Sequence, residues 1–274
     1  MVVKILLPHN EVQIQHFGYK GFIGYNPNIE IVGSAQEADY VWYHTTGDSQ
    51  LVTKDLMAIS HLNKPVIAII TGDKPPEFVP FGYLFGTSCG FNVPYEYDKF
   101  IPDYLDGCWE RRKRSHLITF RGHRSTWGNR HRMDVSGVKV TWIDWWKTPE
   151  NRRHNLMTDY MNELQSSVFS FCPRGNGPSS MRLFESMLMG AIPIRLDDWT
   201  KPFGQELDFS PRFDLASTNT NDIVSYCRNM TVSDINDRRK AMRDFVEKHL
   251  VLDYRNGCDC TIGYTEWIRR FIQT

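Results

Sequence analysis

Phe171-Cys172-Pro173-Arg174-Gly175-Asn176-Gly177-Pro178-Ser179-Ser180-Met181-Arg182-Leu183-Phe184-Glu185, continuing as Ser186-Met187-Leu188-Met189-Gly190-Ala191-Ile192-Pro193-Ile194, decides the fold. An apolar strand ends near Cys172. Gly175 and Gly177 allow a tight turn and a close approach of backbone to a ligand. Pro178 and Ser179 or Ser180 are helix-start residues. A helix from Met181 ends at Gly190, a residue suited to the left-handed C′ position, and a second buried strand follows at once. Strand, glycine loop, helix and strand form half of an α/β unit. The free N–H groups and the positive dipole end of the helix make its start an anion site.

Outward from this segment, short apolar runs alternate with helical patterns, as in parallel α/β proteins. In the first half the strand candidates are Val2 to Leu7, Ile29 to Gly33, Tyr40 to Tyr43 and Val66 to Ile70, with a helix from Leu51 to Leu62. Residues 75 to 105, rich in Pro, Gly and aromatics, read as a loop-rich excursion. The second half offers strands at Leu117 to Phe120, Val138 to Trp142, Val168 to Cys172, Ala191 to Leu196 and Phe213 to Ala216. Helices are expected at Arg153 to Gln165, Met181 to Met189, Asp222 to Met230, Asp234 to His249 and Thr265 to Ile272. The basic run Arg111-Arg112-Lys113-Arg114 reads as a solvated helix end. The expected fold class is α/β, with two Rossmann-like domains facing a cleft. The expected boundaries are 1–108 for the first domain and 109–274 for the second. This arrangement resembles the glycosyltransferase B architecture.

Composition narrows the function classes. The 274 residues are 41% hydrophobic and 23% charged, with 32 Lys+Arg balancing 32 Asp+Glu. Zero net charge gives no bulk attraction to nucleic acid or to an anionic membrane. No apolar run reaches the eighteen or so residues of a membrane span, and the start is too short for a signal peptide. The expectation is a soluble, cytoplasmic chain without membrane insertion. The six cysteines include no Cys-x-x-Cys pair, and Cys258-Asp259-Cys260 is too tight for zinc, so reduced thiols are expected. P-loop, dinucleotide-fold glycine, nucleophile-elbow and His-x-x-x-His patterns are missing. So is an Asp-x-Asp in strand-end context, and Asp197-Asp198 reads as a loop after a strand.

The residues then carry a resemblance. Cys-Pro-Arg-Gly at 172–175, Pro-Ser-Ser-x-Arg-x-x-Glu at 178–185 and Gly-x-Ile-Pro-Ile at 190–194 are similar to the core signature of the exostosin family, glycosyltransferase family 47. Asp197-Asp198-Trp199-x-x-Pro202-Phe203 fits as well. Upstream, Thr119-Phe120-Arg121-Gly122-His123-Arg124, with Arg130 and Arg132 after it, resembles the family's Phe-(Arg/Lys)-Gly turn. The resemblance covers about residues 115 to 205. It implies an inverting transfer of a sugar of the xylose, galactose or glucuronic acid type. The donor would be a nucleoside-diphosphate sugar, UDP-linked, and the acceptor a hydroxyl of an oligosaccharide or glycoprotein glycan. It implies donor contacts from Arg174, Gly175, Ser179, Ser180, Arg182 and Glu185, with Arg121 and Arg124 facing the diphosphate. Glu185 would accept ribose hydroxyls.

No divalent metal is expected as cofactor, since arginines and the helix dipole take its place at the leaving phosphate. The catalytic base is sought in loops after strands of the first half, with Asp48 first, then Asp73 and His44. Family members usually carry a membrane anchor and are longer, so this chain resembles a compact microbial or viral member, such as one from a large algal virus. The alternative function is a non-catalytic carbohydrate- or nucleotide-binding protein on a transferase scaffold.

Overall fold

A computed structural model describes residues 2–6, 29–45, 49–70, 77–78, 81–86, 91–92, 100–145, 147–198 and 200–251. The chain forms two compact units. One takes Met1–Glu96, Thr200–Glu206 and the chain from Glu247 onward; the other takes Tyr97–Trp199 and Leu207–Val246.

The first unit is built on a parallel sheet of β1 (Val3–Leu6), β2 (Ile29–Val32), β3 (Tyr40–Thr45), β4 (Val66–Ile70), β5 (Gly82–Gly86) and β6 (Phe91–Asn92). Their spatial order is β2-β1-β3-β4-β5-β6, every pair parallel. All five residues of β4 are buried, as a central strand covered on both faces requires. Helix α1 (Ser49–Ser60) sets Val52, Leu56 and Ile59 on one face, packed with Val41, Tyr43, Val66, Ala68 and Ile70. The loop-rich reading of residues 75 to 105 is corrected here. Gly82–Gly86 forms β5 in register with β4, Phe91–Asn92 forms β6, and Ile101–Leu105 forms a short helix, α2. Only three apolar residues lie between the two glycines of β5, too short a run to show alternation. Gly82 has φ +137, and a Cβ there would run into the backbone of Val66, so the glycine is required by the close strand approach.

In the second unit, α3 (Cys108–Arg111) leads into a sheet of β7 (His116–Gly122), β8 (Val138–Trp142), β9 (Ser167–Pro173), β10 (Ile192–Leu196) and β11 (Arg212–Phe213). The order is β11-β10-β9-β7-β8, again all parallel. A 3-10 turn at Arg130–Met133 joins β7 to β8, α4 (Glu150–Gln165) joins β8 to β9, and α5 (Met181–Leu188) joins β9 to β10. Helices α6 (Thr220–Arg228) and α7 (Val232–His249) follow β11. The core gathers Ile118, Phe120, Phe169, Phe171, Ile192, Ile194 and Leu196 from the sheet against Met133, Ile223 and Val224.

Two α/β units with parallel sheets are what the alternating pattern predicts. The strand from Phe213 to Ala216 shortens to Arg212–Phe213, because Asp214 turns the chain and bonds the N–H of Ala216. Thr265 to Ile272 lies outside the described residues. The solvated reading of Arg114 is also corrected. Its guanidinium donates to the carbonyls of Leu164 and Met189, both at 3.3 Å, of Trp109 at 3.1 Å and of Ser167, tying helix ends to the base of β9. Among the described residues, no helix is long and apolar enough to cross a membrane.

Candidate functional site

In the second sheet, β7 connects outward to β8, whereas β9 lies on the other side of β7 and the chain then runs on to β10 and β11. The order reverses between β7 and β9. Ligands of open α/β sheets bind beyond the carboxyl ends of the strands at such a switch point. Those ends are Arg121-Gly122-His123 after β7 and Arg174-Gly175 after β9, the two places singled out in the sequence.

The loop after β9 is closed by the Gly175 N–H to the Ser179 carbonyl, 3.4 Å, and anchored to β10 by the Arg174 N–H to the Leu196 carbonyl, 3.0 Å. Ser180 has extended backbone (φ −131, ψ 127) and stands at the N-cap of α5 without a side-chain cap bond. The hydroxyl of Ser179 is buried with no partner. At the far end of α5, Gly190 has φ +75, and the Ala191 N–H bonds the Ser186 carbonyl at 2.9 Å, the six-to-one bond of a glycine-terminated helix. A Cβ on Gly190 would strike Trp109 and Arg114.

The guanidinium groups of Arg130 and Arg182 stand close together at this crest, and Arg174 belongs to the loop that Arg130 binds. Arg182, from α5, donates to the Arg121 carbonyl at the end of β7 and lies 4.6 Å over the Phe120 ring and 5.0 Å over Tyr160. Gly122 leaves room for it, since a Cβ there would come within 3.0 Å of Arg182 Nη2. Arg130, buried on the 3-10 turn, donates to the His123 carbonyl at 3.0 Å and the Arg174 carbonyl at 2.8 Å, so it stitches the two switch-point loops together. Arg174 itself donates to the Asn176 carbonyl at 3.1 Å. Each keeps a buried N–H without a partner: Arg130 Nε, Arg174 Nε and Arg182 Nη1. None of the three forms an ion pair with a carboxylate among the described residues. Burial first, and the charge of Arg182 second, lower the Arg130 pKa to about 10. Two crowded cations without a counter-charge are unfavourable in a buried place unless an anion joins them.

Glu185 sits on the second turn of α5 and is buried; its Oε2 accepts from the Tyr160 hydroxyl at 2.6 Å. Burial holds the Tyr160 proton in place well above the usual phenol range, the charge of Arg182 opposing and Glu185 reinforcing it. The other carboxylate oxygen, Oε1, has no partner among the described residues. Arg182 and Glu185, three apart, are therefore not the simple surface ion pair their spacing would allow. Cys172 of the Cys-Pro-Arg-Gly run is a core residue. Burial pushes its thiol up to about 12, so it is not a nucleophile near neutral pH.

The structure thus brings together Arg174, Gly175, Ser179, Ser180, Arg182 and Glu185. Arg121 turns away and pairs with buried Glu163 of α4, at 3.2 Å from Nε and 3.0 Å from Nη2. Arg124 is exposed and lies 5.6 Å over the Trp142 ring on the β8 side. Asp48 and Asp73 lie outside the described residues. His44 belongs to β3 by its backbone, and its side chain lies outside the description. The central member that the sequence does not rank is Arg130. Its role depends on carbonyls 7 and 44 residues away, and only its nearness to the Phe-Arg-Gly turn hints at it.

Asp197, at the end of β10, adopts φ +55 and is buried. Its Oδ1 accepts from the Leu215 N–H at 2.9 Å. Burial first, and the hydrogen-bonded carboxyl of Asp214 second, raise its pKa to about 6. Asp214 remains ionised, held low by the Ala216 N–H and by the proton of Asp197. A carboxyl whose folded pKa lies above its unfolded value binds more protons in the native state. Its contribution to stability is therefore lost as pH rises from about 4 through about 6. Asp197→Asn keeps the acceptor for Leu215 and supplies a permanent donor to Asp214. The difference in melting temperature, variant minus wild type, is expected to grow from near zero at pH 4 to roughly 2–4 °C above pH 6.5. Thermal unfolding of both proteins across that range measures it, and a pH-independent difference would contradict the shared-proton arrangement.

Residues 99–211 match the family model described as Exostosin GT47 domain, a span that contains β7 to β10 and the whole arginine crest. No curated protein matches the chain. Among solved structures it is similar to a crystal structure of an α1,3-fucosyltransferase, with a TM-score of 0.47 and 12% identity over 86% of this chain and 81% of that one. It is likewise similar to an α1,3-fucosyltransferase with GDP-fucose, with a TM-score of 0.44 and 11% identity over 87% and 81%.

Proposed function

We propose that the chain is an exostosin-like glycosyltransferase that transfers a sugar, with inversion, from a nucleoside-diphosphate donor held on the arginine crest to a hydroxyl of a glycan. The observation that carries this reading is the set of buried, unpartnered N–H groups on Arg130, Arg174 and Arg182 at the switch point of the second sheet. A diphosphate supplies the missing counter-charge and acceptors. The start of α5 adds orphan backbone N–H groups, and Ser179 adds a hydroxyl. The free Oε1 of Glu185 is placed to accept from ribose, with Tyr160 fixing the carboxylate by its hydrogen bond.

The chemistry follows from the charges. As the glycosidic bond to the β-phosphate stretches, negative charge grows on the leaving diphosphate. Preorganised guanidinium groups in a partly desolvated place stabilise that charge without reorganising. Inversion needs one displacement by an acceptor hydroxyl and a base to take its proton. Donor sugar of the xylose, galactose or glucuronic acid type and a UDP carrier remain our proposal, as does metal independence.

A thermal-shift screen of UDP-xylose, UDP-galactose and UDP-glucuronic acid with excess chelator tests the reading. At least one donor is expected to raise the melting temperature, because a ligand bound only to the native state stabilises it. That donor is expected to turn over at an undiminished rate with the chelator present. Turnover abolished by chelator and restored by manganese would show that a metal, not the crest, carries the leaving charge.

A further inference from the structure

Beside the crest, beyond the carboxyl ends of β7 and β8, lies a concavity of about 830 Å³ walled by His123, Arg124, Ser125, Trp142, Ile143 and Asp144. It adjoins the crest through one residue. The His123 carbonyl is bound by Arg130, whereas the His123 side chain faces the concavity. Resting on the donor-site reading above, we propose that this concavity is the subsite for the transferred sugar ring of the donor, with Asp144 as the residue that reads its hydroxyls.

Direction decides the occupant. The ribose position at Glu185 belongs to α5, which crosses from β9 to β10, whereas the concavity lies on the other side of the crest, at β7 and β8. A diphosphate seated on the crest therefore has its nucleoside on one flank and its sugar on the other. Going from between β9 and β10 to between β7 and β8 is two strand spacings, roughly 10 Å. That matches the reach from a ribose through a diphosphate to the attached ring.

The lining suits a sugar better than a base. The Trp142 ring forms one wall, with the Arg124 guanidinium 5.6 Å over it, packed edge-on against Phe120 with centroids 5.6 Å apart and held by its N–H to Asp134 at 3.3 Å. Asp144 offers a carboxylate that is partly exposed and fixed by two cations or donors, Lys147 Nζ at 3.3 Å and His123 Nε2 at 3.4 Å. Partial burial works against its ionisation, but the bonds from Lys147 and His123 outweigh it and hold the carboxyl below the usual range. The His123 ring is fixed from its other side by the Ser125 N–H at 3.3 Å and hydroxyl at 3.1 Å. An ionised acceptor, an oriented imidazole and a rigid aromatic face are the parts needed to bind vicinal hydroxyls and one apolar ring face.

Calorimetric titration of wild type and Asp144→Asn with UDP, UDP-xylose, UDP-galactose and UDP-glucuronic acid tests this. The substitution is isosteric and its site is partly exposed, so the fold is kept. The sugar donor that binds wild type best is expected to bind Asp144→Asn roughly tenfold more weakly, whereas UDP alone stays within about twofold. His123→Gln, which removes one of the two partners of Asp144, is expected to show the same split. Equal weakening of UDP and UDP-sugar would overturn the proposal, because the concavity would then serve the nucleotide. Unchanged affinity for both ligands in both variants would overturn it too. Wild type that binds neither UDP nor any UDP-sugar would instead remove the donor-site reading on which the proposal stands.

Discussion

Arg182→Met is expected to weaken donor binding by roughly 10- to 100-fold while leaving the melting temperature of the free protein unchanged or higher. The two halves of this result have separate causes. In the free protein Arg182 makes one bond to the Arg121 carbonyl and lies over Phe120 and Tyr160, but its Nη1 is buried without a partner and its charge is set against Arg130. Removing a half-buried cation with a buried, unpartnered N–H relieves a desolvation cost. Met keeps the contact with the aromatic rings, as a flexible thioether that packs well against them. Relief of Arg130 should follow, since one of the causes of its lowered pKa is gone. In the complex the balance reverses. The guanidinium then meets phosphate oxygens, and each lost charge-assisted hydrogen bond costs about 1.5–3 kcal/mol. Donor titration and thermal unfolding of the same preparation read both halves. A variant that is destabilised and binds donor normally would make Arg182 a structural tie between α5 and β7, and the crest would lose its claim to the diphosphate.

The split between what sequence carries and what it hides runs along the same line. The strand-loop-helix-strand at 167–196 is legible because its punctuation is local: Gly175, Gly177, Ser179, Ser180 and Gly190 each mark a backbone event within a few residues of themselves. Glu185 and Arg182 are legible for the same reason, since helical spacing fixes where they stand relative to the loop. Arg130 is not, because its importance arises when the carbonyls of His123 and Arg174 are brought together by the β7–β9 pairing. The mutual influence of the Asp197 and Asp214 carboxyls likewise needs β10 and β11 side by side. The adjacent pair Asp197-Asp198 reads in sequence as a loop after a strand and is one, but the burial of Asp197 and its left-handed backbone are not visible in that pattern. Arg114 illustrates the opposite error. A run of four basic residues looks solvated, yet one of them binds four carbonyls, because helix and strand termini leave acceptors that no composition reveals. Strand β5 escapes for want of length, being identified by its register with β4 and not by its own pattern.

Asp48→Asn is expected to lower turnover on the order of 100-fold or more while donor affinity stays as in wild type. Inversion requires a group that takes the acceptor proton as the anomeric carbon is attacked, and the crest of the second unit offers cations for that moment, not a base. In the first unit the sheet order β2-β1-β3-β4-β5-β6 reverses between β1 and β3. Strand β3 is thus the counterpart of β9, and Asp48 is the third residue after it in the sequence. Asp73 follows β4, one strand further from the reversal, which ranks it second. The competing role for Asp48 is helix capping, since α1 begins at the next residue. Asparagine separates the two roles, because it caps a helix as well as aspartate but takes up no proton at neutral pH. Loss of turnover without loss of stability therefore points to the base, whereas Asp48→Ala should show both if the side chain caps as well. Asp73→Asn provides the comparison at the neighbouring strand. Normal turnover in both asparagine variants would remove Asp48 and Asp73 together and leave His44, on β3 itself, as the group to be replaced next.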